Sequence, residues 1–407
     1  MVDQKRESIA NPLRYTGMLP QEEMLEIGKK HKKLLIGLPK EDQQYEKRIG
    51  LTPEAVEVLV NNGHDVIIEK DAGVGARYVS TDYSEHGGFI VDSNEKIWNS
   101  DIILKVSPLT CKEIDKLKGN QVILSPLNLN QREPEYIKKL MAKKITAIAF
   151  ENIKNEYDSK PIVQSMHAIA GSTSIIIAAE MLSNISGGKG VLLGGVTGIT
   201  PTEVVILGAG TAAESATRAA LGMGSFVKVF DSSVQKLEQL QNRLGVRLHT
   251  SIFHPQVFAR HLLSADVLIG ALDLHDTGAR FFVTEEMVQK MKKGAVIIDL
   301  AIDQGGCIET SECHTLNDPV YTRHGVLHYS VANIPSRVSR TASIALSNIL
   351  SPILLDLGSS GGIKPYLKAD NSVRKGVYLY NGILTNERIS DMYQIPFKDI
   401  DLLMAAF

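Results

Sequence analysis

Cysteine is scarce in this chain. The 407 residues contain three cysteines, Cys111, Cys307 and Cys313. They form neither an even-numbered disulfide framework nor the paired Cys-x-x-Cys spacing of a metal site. This scarcity excludes a disulfide-stapled secreted scaffold and predicts a reducing, cytoplasmic location.

An excess of charge of either sign is also missing. The chain has 44 basic and 46 acidic side chains, which gives a formal net charge of -2. So balanced a charge provides no electrostatic reason to expect a nucleic acid or a membrane as partner. The partners that we predict are therefore small molecules.

Long apolar runs are absent as well. Gly, Lys or Glu breaks every candidate before it reaches the roughly 18 to 20 residues of a membrane-spanning helix. Residues 1–32 carry charges of both signs and no apolar segment, which is unlike a secretory signal. We predict a soluble protein whose first 32 residues form an arm with one short helix.

The histidines do not have the spacing of metal ligands. His314, His324 and His328 lie close in sequence, but they lack the i, i+4 spacing or the paired cysteines of a zinc site. No metal site is predicted.

What the chain does contain is a regular alternation of strand-length and helix-length segments. Its length exceeds one ordinary core, so we expect two lobes with a cleft between them. Short Ile- and Val-rich runs alternate with amphipathic segments such as 53–64 and 133–144; the runs are LLIGLP (34–39), DVIIEK (65–70), GFIVD (88–92), DIILKVS (101–107), QVILSPL (121–127) and ITAIAFE (145–151). This pattern predicts a mostly parallel sheet covered on both faces.

A long helix and a glycine-rich segment follow. Residues 163–185 have no interior proline and predict one helix that runs between the lobes. The segment 187–201 resembles a phosphate-binding loop, but Gly190 follows Lys189 where a Walker A sequence needs Ser or Thr. A loop or a hairpin is the better interpretation.

A second alternating series occupies the rest of the chain. Its predicted strands are 203–208, 226–231, 265–272 and 294–301, with helices over 211–223, 233–243 and 284–292. A last helix over 341–357 is expected to return to the first lobe, followed by a polar tail.

We therefore predict an α/β protein with two Rossmann-like, doubly wound domains and an active site in the cleft between them. The predicted division is an arm at 1–32, a discontinuous substrate domain at 33–162 plus 340–407, and a nucleotide-binding domain at 163–339.

The segment 204–231 has the context of a dinucleotide-binding motif. A strand precedes Gly208, a helix begins near Thr211, and a second strand ends in the acid Asp231. Gly208 permits a tight turn, and Gly210 lets the backbone approach a pyrophosphate. The small Ala213 lets the helix pack closely on the strand and is also expected to approach the pyrophosphate. The helix N-terminus offers free N–H groups to the phosphates.

The acid at the end of the second strand indicates which dinucleotide binds. Asp231 can accept hydrogen bonds from ribose hydroxyls and would repel a 2′-phosphate, so the prediction is NAD rather than NADP. The alternative is a glycine-rich strand–helix turn that binds another nucleotide or none.

At this point the sequence resembles the alanine dehydrogenases, which are related to the NAD-binding subunit of proton-translocating transhydrogenase. The similarity covers about residues 34–390. Besides the dinucleotide motif, its specific segments are KRIGLTPEAVEVL (47–59), ILKV (103–106), GKGVLLGG (188–195), DLAIDQGGC (299–307) and HYSVANIP (328–335). The resemblance implies a substrate site in the cleft and a homo-oligomer, usually a hexamer.

The resemblance also implies roles for single residues. Arg48 would hold the substrate carboxylate, for which a guanidinium is well suited. Asp303 would lie beside the nicotinamide and orient substrate and water, Lys236 would lie near the adenosine, and the nicotinamide would contact Val331, Ala332, Asn333 and Ile334. The alternatives are a solvated arginine, an aspartate that caps a turn and a surface lysine.

Two positions depart from the family and bear on catalysis. Where the family has a second lysine after ILKV, this chain has Ser107; Lys105 lies on the same strand face by periodicity and either reaches inward or lies at the rim. Where the family has its acid/base histidine, this chain has Asn128, whose amide cannot carry a proton through a cycle.

Two further differences concern the cofactor side. His167 replaces a serine of the family and either supplies the missing imidazole, contacts the cofactor, or is an ordinary surface or core histidine. HDTGAR (275–280) replaces a Pro-Gly loop beneath the cofactor.

Two functions are therefore compatible with the sequence. The first is an NAD-dependent amino-acid dehydrogenase of the alanine dehydrogenase type, which converts alanine or a related small amino acid into the 2-oxo acid and ammonia. The alternative is an NAD(H)-binding module or sensor without efficient dehydrogenase activity. Arg48 and Asp303 favour the enzyme, whereas Asn128 and Ser107 favour the module.

Overall fold

The computed structural model of the chain describes residues 31–92, 94–128, 132–274 and 281–406. The predicted arm falls outside these ranges except for its last two residues, and so does the HDTGAR segment.

Strands and helices alternate along the described residues. The strands are β1 (Leu35–Leu38), β2 (Asp65–Glu69), β3 (Phe89–Val91), β4 (Ile102–Leu104), β5 (Val122–Ser125), β6 (Thr146–Ala149), β7 (Glu203–Leu207), β8 (Phe226–Asp231), β9 (His249–Ile252), β10 (Val267–Gly270), β11 (Val296–Asp299), β12 (Val320–Arg323), β13 (Val326–Tyr329), β14 (Val377–Tyr380) and β15 (Ile383–Leu384). The helices are α1 (Pro53–Asn61), α2 (Ser80–Glu85), α3 (Asn94–Trp98), α4 (Cys111–Lys116), α5 (Pro134–Ala142), α6 (Pro161–Leu182), α7 (Thr211–Gly222), α8 (Val234–Leu244), α9 (Pro255–Leu262), α10 (Glu285–Gln289), α11 (Ser339–Ser359), α12 (Ile363–Ala369), α13 (Asn371–Arg374), α14 (Glu387–Tyr393) and α15 (Ile400–Ala406).

Two sheets organise these elements. In the described part of the chain, the first sheet has the order β15-β14-β6-β5-β4-β1-β2-β3 and the second has the order β12-β13-β11-β10-β7-β8-β9. Neighbouring strands are parallel except at one edge of each sheet, where β14, β15 and β12 pair antiparallel. The two parallel-dominated α/β units confirm the predicted fold class.

The strands are apolar because both faces of each sheet are covered. Along β5, Val122 and Leu124 belong to one buried cluster, whereas Ile123 between them belongs to another on the opposite face. Along β7, Val204 and Val205 divide in the same way. Continuous Ile- and Val-rich runs are the expected signature of parallel strands buried on both sides.

Helix α11 joins the second sheet's region back to the first. Leu346 and Leu350 belong to the apolar cluster of the first sheet. On the same helix, Ser343 Oγ accepts the Ile49 N–H at 2.9 Å and Ser347 Oγ accepts the N–H of Thr52 at 3.1 Å. The return of this helix to the first lobe is thus confirmed, and it fixes the loop before α1.

The prediction of a polar tail after this helix was wrong. The segment VYLY (377–380) is buried and pairs antiparallel with β6, which extends the first sheet. Four helices and β15 also lie beyond residue 357 in the described part of the chain. The glycine-rich segment 187–201 has no strand and is a loop, in agreement with the sequence.

Two helices are long and apolar enough to cross a membrane by length and composition alone. They are residues 161–182 and 334–359, and about half of each apolar window is buried inside the protein. Core helices of soluble proteins meet the same criterion. Here α6 packs against α7 and α11, and α11 also packs against α1. Their hydropathy is therefore explained by the protein's interior.

The packing of α6 against α7 depends on one glycine. A Cβ atom on Gly171 would overlap the carbonyl oxygen of Ala212 and approach the backbone nitrogen of Ala216 at 3.0 Å. The two helices therefore touch backbone to backbone, and α7 in turn lies on the second sheet.

We expect Gly171→Ala to lower the free energy of unfolding by about 1–3 kcal/mol or more, because the helices must separate to admit a methyl group. The matched control is Gly222→Ala in α7, where a Cβ meets no atom within 4 Å; there we expect a gain of up to about 1 kcal/mol from helix propensity. Urea denaturation measures both, and equal effects of the two substitutions would contradict the close contact.

Candidate functional site

A cavity of about 890 Å³ lies between the two sheets. Residues at or shortly after the ends of strands line it on both sides: Val106, Ser107, Pro126, Asn128, Phe150 and Glu151 after β4 to β6, and Leu207 at the end of β7 with Gly208, Ser232, Ala271 and Leu300 after β7, β8, β10 and β11. Open α/β sheets bind ligands at the carboxyl ends of their strands. The predicted cleft is therefore present, and residues of both lobes form it.

The glycine-rich turn forms one wall of this cavity. Gly208 has φ 114°, and a Cβ there would overlap the Ala271 carbonyl oxygen, so the turn requires glycine. Gly210 precedes α7, and a Cβ on it would meet no protein atom within 4 Å. The free N–H groups at the start of α7 thus border open space, as a pyrophosphate needs.

Asp231 fixes this turn from below. Its carboxylate accepts the N–H groups of Ala209 and Ser233, both at 2.8 Å, and is 5% exposed. The carboxylate still borders the cavity, as does Lys236 in the first turn of α8. A carboxylate held in place at the border of the cavity suits the hydroxyls of a ribose, because each carboxylate oxygen can accept more than one hydrogen bond.

Ala213 does not approach the cavity as predicted. It is fully buried in the apolar cluster between α7 and the sheet, and Thr211 and Ala212 line the cavity instead. The Ala213 side chain, in the first turn of α7, faces the second sheet because α7 packs along that sheet. The packing role of Ala213 remains, and the ligand-contacting role does not.

A second wall is the turn after β13. Val331, Ala332, Asn333 and Ile334 all line the cavity, and Asn333 adopts φ 66° before the following helical turn. Asp303 lines the cavity from the turn after β11, and His167 lines it from the second turn of α6. The structure therefore gathers all the residues predicted for the nicotinamide side except those in HDTGAR, which lies outside the described residues.

Arg48 lines the cavity in a tight contact with Glu46. Its Nε and Nη2 donate to the two oxygens of the Glu46 carboxylate at 2.8 and 2.7 Å, and its Nη1 lies 3.2 Å from Met166 Sδ. Asn333 Nδ2 and Ser336 Oγ donate to the same carboxylate at 2.7 and 3.1 Å. The guanidinium is thus oriented before any substrate arrives.

The charge state of Glu46 follows from these contacts. Burial alone would raise the pKa of its carboxyl, but the attraction and hydrogen bonds of Arg48 outweigh burial and hold the pKa below its usual value. Glu46 is therefore ionised at neutral pH.

Ser107 lines the cavity, but Lys105 does not. The Lys105 ammonium is 3.0 Å from a Glu113 oxygen and 3.8 Å from Glu41, and the residue is 4% exposed. It neither reaches the cleft nor lies at the rim, because two carboxylates hold it inside the first lobe. The hypothesis that Lys105 contacts the substrate is not supported by this position.

Asn128 stands at the cavity surface in a left-handed conformation, with φ 47°. Behind it, Glu151 Oε1 accepts the N–H of Leu127 at 2.7 Å, while Oε2 is buried and has no hydrogen-bond partner among the described residues. Burial raises the pKa of this carboxyl.

The sequence reasoning missed three acidic residues of this region: Glu41, Glu46 and Glu151. Glu46 lies two residues before Arg48, and Glu151 directly follows a strand, so both positions carried a signal. Glu41 follows the end of β1 by three residues, as Asn128 follows β5, but its contact with Ser107 forms only through the folded loop, and no sequence spacing indicates that contact. Among the described residues, no three His, Cys, Asp or Glu side chains are grouped as metal ligands.

Comparisons with known proteins agree with this geometry. A family model described as the alanine dehydrogenase/PNT N-terminal domain matches residues 37–170, and one for the C-terminal domain matches residues 174–387. An alanine dehydrogenase of Staphylococcus saprophyticus is 37% identical over 369 residues, which are 90% of this chain and 99% of the relative. Alanine dehydrogenase 2 of Staphylococcus aureus is 36% identical over 367 residues, 90% of this chain and 98% of that relative.

Solved structures resemble the whole fold. An L-alanine dehydrogenase superposes with a TM-score of 0.82 at 35% identity, covering 89% of this chain and 99% of the other. A transhydrogenase from Sinorhizobium meliloti shares the fold with a TM-score of 0.73 at 24% identity, covering 87% of this chain and 99% of the other.

The turn makes a testable distinction between its two glycines. We expect Gly210→Ala to leave the melting temperature within about 2 °C of wild type and to weaken NADH binding about tenfold or more, because the methyl group enters the ligand's space and no protein atom. Gly208→Ala is the matched control and should lower the melting temperature instead, because of its φ and its contact with Ala271.

Fluorescence titration with NADH and differential scanning calorimetry measure the two effects. Unchanged NADH affinity in Gly210→Ala would contradict the placement of the pyrophosphate at this turn.

Proposed function

Because this chain belongs to the alanine dehydrogenase/PNT family, we propose that it catalyses the reversible oxidative deamination of L-alanine or a related small amino acid. The products are the 2-oxo acid and ammonia, and the cofactor is NAD. The single observation that carries the proposal is the cavity itself, in which the glycine-rich turn and Asp231 face Arg48 and Asp303.

The cofactor site fits an NAD molecule. Gly208 and Gly210 provide the turn, Thr211 and Ala212 begin α7 beside it, and Asp231 would hold the ribose. Lys236 would lie near the adenosine, and residues 331–334 would contact the nicotinamide. When bound, NAD accepts the hydride that leaves the Cα atom of the amino acid.

Substrate binding is assigned to the opposite wall. Arg48 would pair with the substrate carboxylate through the guanidinium N–H groups that Glu46 leaves, since Glu46 already fixes the orientation of the plane. The amide of Asn128 would donate a hydrogen bond to the keto oxygen of the 2-oxo acid. Asp303 would orient the water that releases ammonia, and His167 would border the cofactor.

The proposal extends to the assembly and the location of the protein. We propose a homo-oligomer, a hexamer by resemblance, in the cytoplasm. Support for assembly comes from exposed apolar side chains around the glycine-rich loop, where Ile185, Leu192, Val196 and Ile199 are 99%, 65%, 59% and 64% exposed. We also propose that the substrate domain comprises residues 33–162 plus 340–407 and the NAD domain residues 163–339.

The first test is catalytic. We expect purified protein to oxidise NADH when pyruvate and ammonium are both present, and to be slower when ammonium is omitted. A panel of other small 2-oxo acids run in parallel identifies the side chain preferred. Tight NADH binding without turnover on any 2-oxo acid would overturn the dehydrogenase assignment and favour the NAD(H)-binding module. Asn128 and Ser107, which replace the family's histidine and lysine, are the residues that favour this alternative.

Asn128 provides a second test. We expect Asn128→His to raise kcat for alanine oxidation about tenfold or more, because an imidazole next to the substrate adds general acid/base assistance, which is typically worth about 10² to 10⁴. Histidine, like asparagine, tolerates the left-handed conformation of this position. Asn128→Gln keeps the amide and serves as control; a histidine variant no faster than wild type would show that proton transfer does not limit the reaction here.

A further inference from the structure

A buried carboxyl group lies directly behind the cavity wall. Glu41 is 4% exposed and does not border the cavity. Its Oε2 accepts the hydroxyl hydrogen bond of Ser107, and its Oε1 accepts the N–H groups of Val106 at 2.6 Å and Ser107 at 3.3 Å. Ser107 itself lines the cavity, so one hydroxyl connects the cavity to the carboxyl.

The charges around Glu41 are mixed. The Lys105 ammonium lies 3.8 Å away and is shared with Glu113, while the Glu46 carboxylate is close enough to repel. Burial raises the pKa of Glu41 to about 7, against the opposing effects of Lys105 and of the hydrogen bonds from Ser107 and Val106. Both protonation states of Glu41 are thus accessible near neutral pH.

Other groups at this wall differ from Glu41 in how they connect to the cavity. Glu151 lines the cavity and burial raises its pKa, but its oxygen accepts the Leu127 N–H, whereas the Ser107 hydroxyl donates to Glu41. Asn128 has no titratable proton, and Glu46 is held ionised by Arg48. Direct exposure to water would return a carboxyl to its ordinary acidity, whereas Glu41 exchanges with the cavity through Ser107 alone among the contacts described.

We propose that Ser107 and Glu41 form a proton relay between the bound substrate and the interior of the first lobe. This inference rests on the proposed function. In deamination, a proton of the substrate ammonium passes to Ser107 Oγ while the hydroxyl proton of Ser107 passes to Glu41 Oε2. One N–H and one O–H bond break, two O–H bonds form, and the electron pair stays on the substrate nitrogen. The reverse transfer protonates the amine in reductive amination.

The two residues have different roles in this relay. Ser107 contacts the substrate and is the catalytic residue. Glu41 acts through Ser107 as the proton acceptor behind it and also positions the hydroxyl. Because the carboxylate form must accept the proton, deamination slows as the pH falls through about 7, and this inflection belongs to Glu41.

The decisive variant is Glu41→Gln, which keeps the shape and removes the titration. We expect kcat for alanine oxidation to fall about 10²-fold, KM to change less than about threefold, and the inflection near neutral pH to disappear. Glu113→Gln is the matched control: Glu113 contacts the same Lys105 but not Ser107, so its kcat and inflection should match wild type.

Ser107, at the other end of the relay, gives an independent test. It is needed if a lowered melting temperature shows that Glu41→Gln is destabilised. Ser107→Ala cuts the connection while leaving Glu41, and Ser107→Thr restores a hydroxyl. We expect the alanine variant to lose the inflection and the threonine variant to regain it. An inflection that persists in both Glu41→Gln and Ser107→Ala would overturn the relay.

A readout without turnover separates this inference from the proposed function. Infrared difference spectra between about pH 6 and about pH 8 should show the band of a titrating buried carboxyl in wild type and in Glu113→Gln, and this band should be missing in Glu41→Gln. Absence of that signal in wild type overturns the relay even if the enzyme is active. A signal present without turnover on any 2-oxo acid overturns the dehydrogenase function, and the relay with it.

Discussion

The Glu46 carboxylate is the contact on which the arrangement of the cavity depends. It binds the guanidinium of Arg48 with both oxygens and accepts hydrogen bonds from Asn333 and Ser336, which follow the last parallel strand of the second sheet. One buried ion therefore holds the loop of the first lobe against the turn of the second. Removing the Glu46 carboxylate would leave the half-buried Arg48 guanidinium without its countercharge and would remove the acceptor of the Asn333 and Ser336 hydrogen bonds.

Much of the fold could be predicted from the sequence because parallel strands covered on both faces are written as continuous apolar runs. The runs at 34–39, 121–127 and 226–231 all correspond to strands, and the long helix begins two residues before its predicted start. The C-terminal segment was missed for a physical reason. Its strand β14 is four residues long, and its pairing partner β6 lies more than 200 residues away in sequence, so no local pattern reveals it.

The same distinction between local sequence pattern and long-range contact applies to the residues of the site. Residues that follow strands could be placed at the cavity because strand ends share one edge of a sheet. Lys105 could not, since the argument from strand periodicity assumed that the strand continues through residue 107, whereas β4 ends at Leu104. Side-chain partnerships such as that of Ser107 with Glu41 depend on how a loop folds over the strand ends, which spacing alone does not specify.

The contact between α6 and α7 has a mechanical consequence. Because the two backbones touch at Gly171, this part of α6 is fixed to the nucleotide-binding lobe, whereas Ile162 and Met166 near its start pack against the apolar cluster of the first sheet. Asn128 and Ser107 are carried by this first sheet. Helix α6 therefore spans the cleft and, together with the contacts of Glu46 to Asn333 and Ser336, links its two sides, so the folded chain sets the distance between the groups on either side of the cavity before a ligand binds.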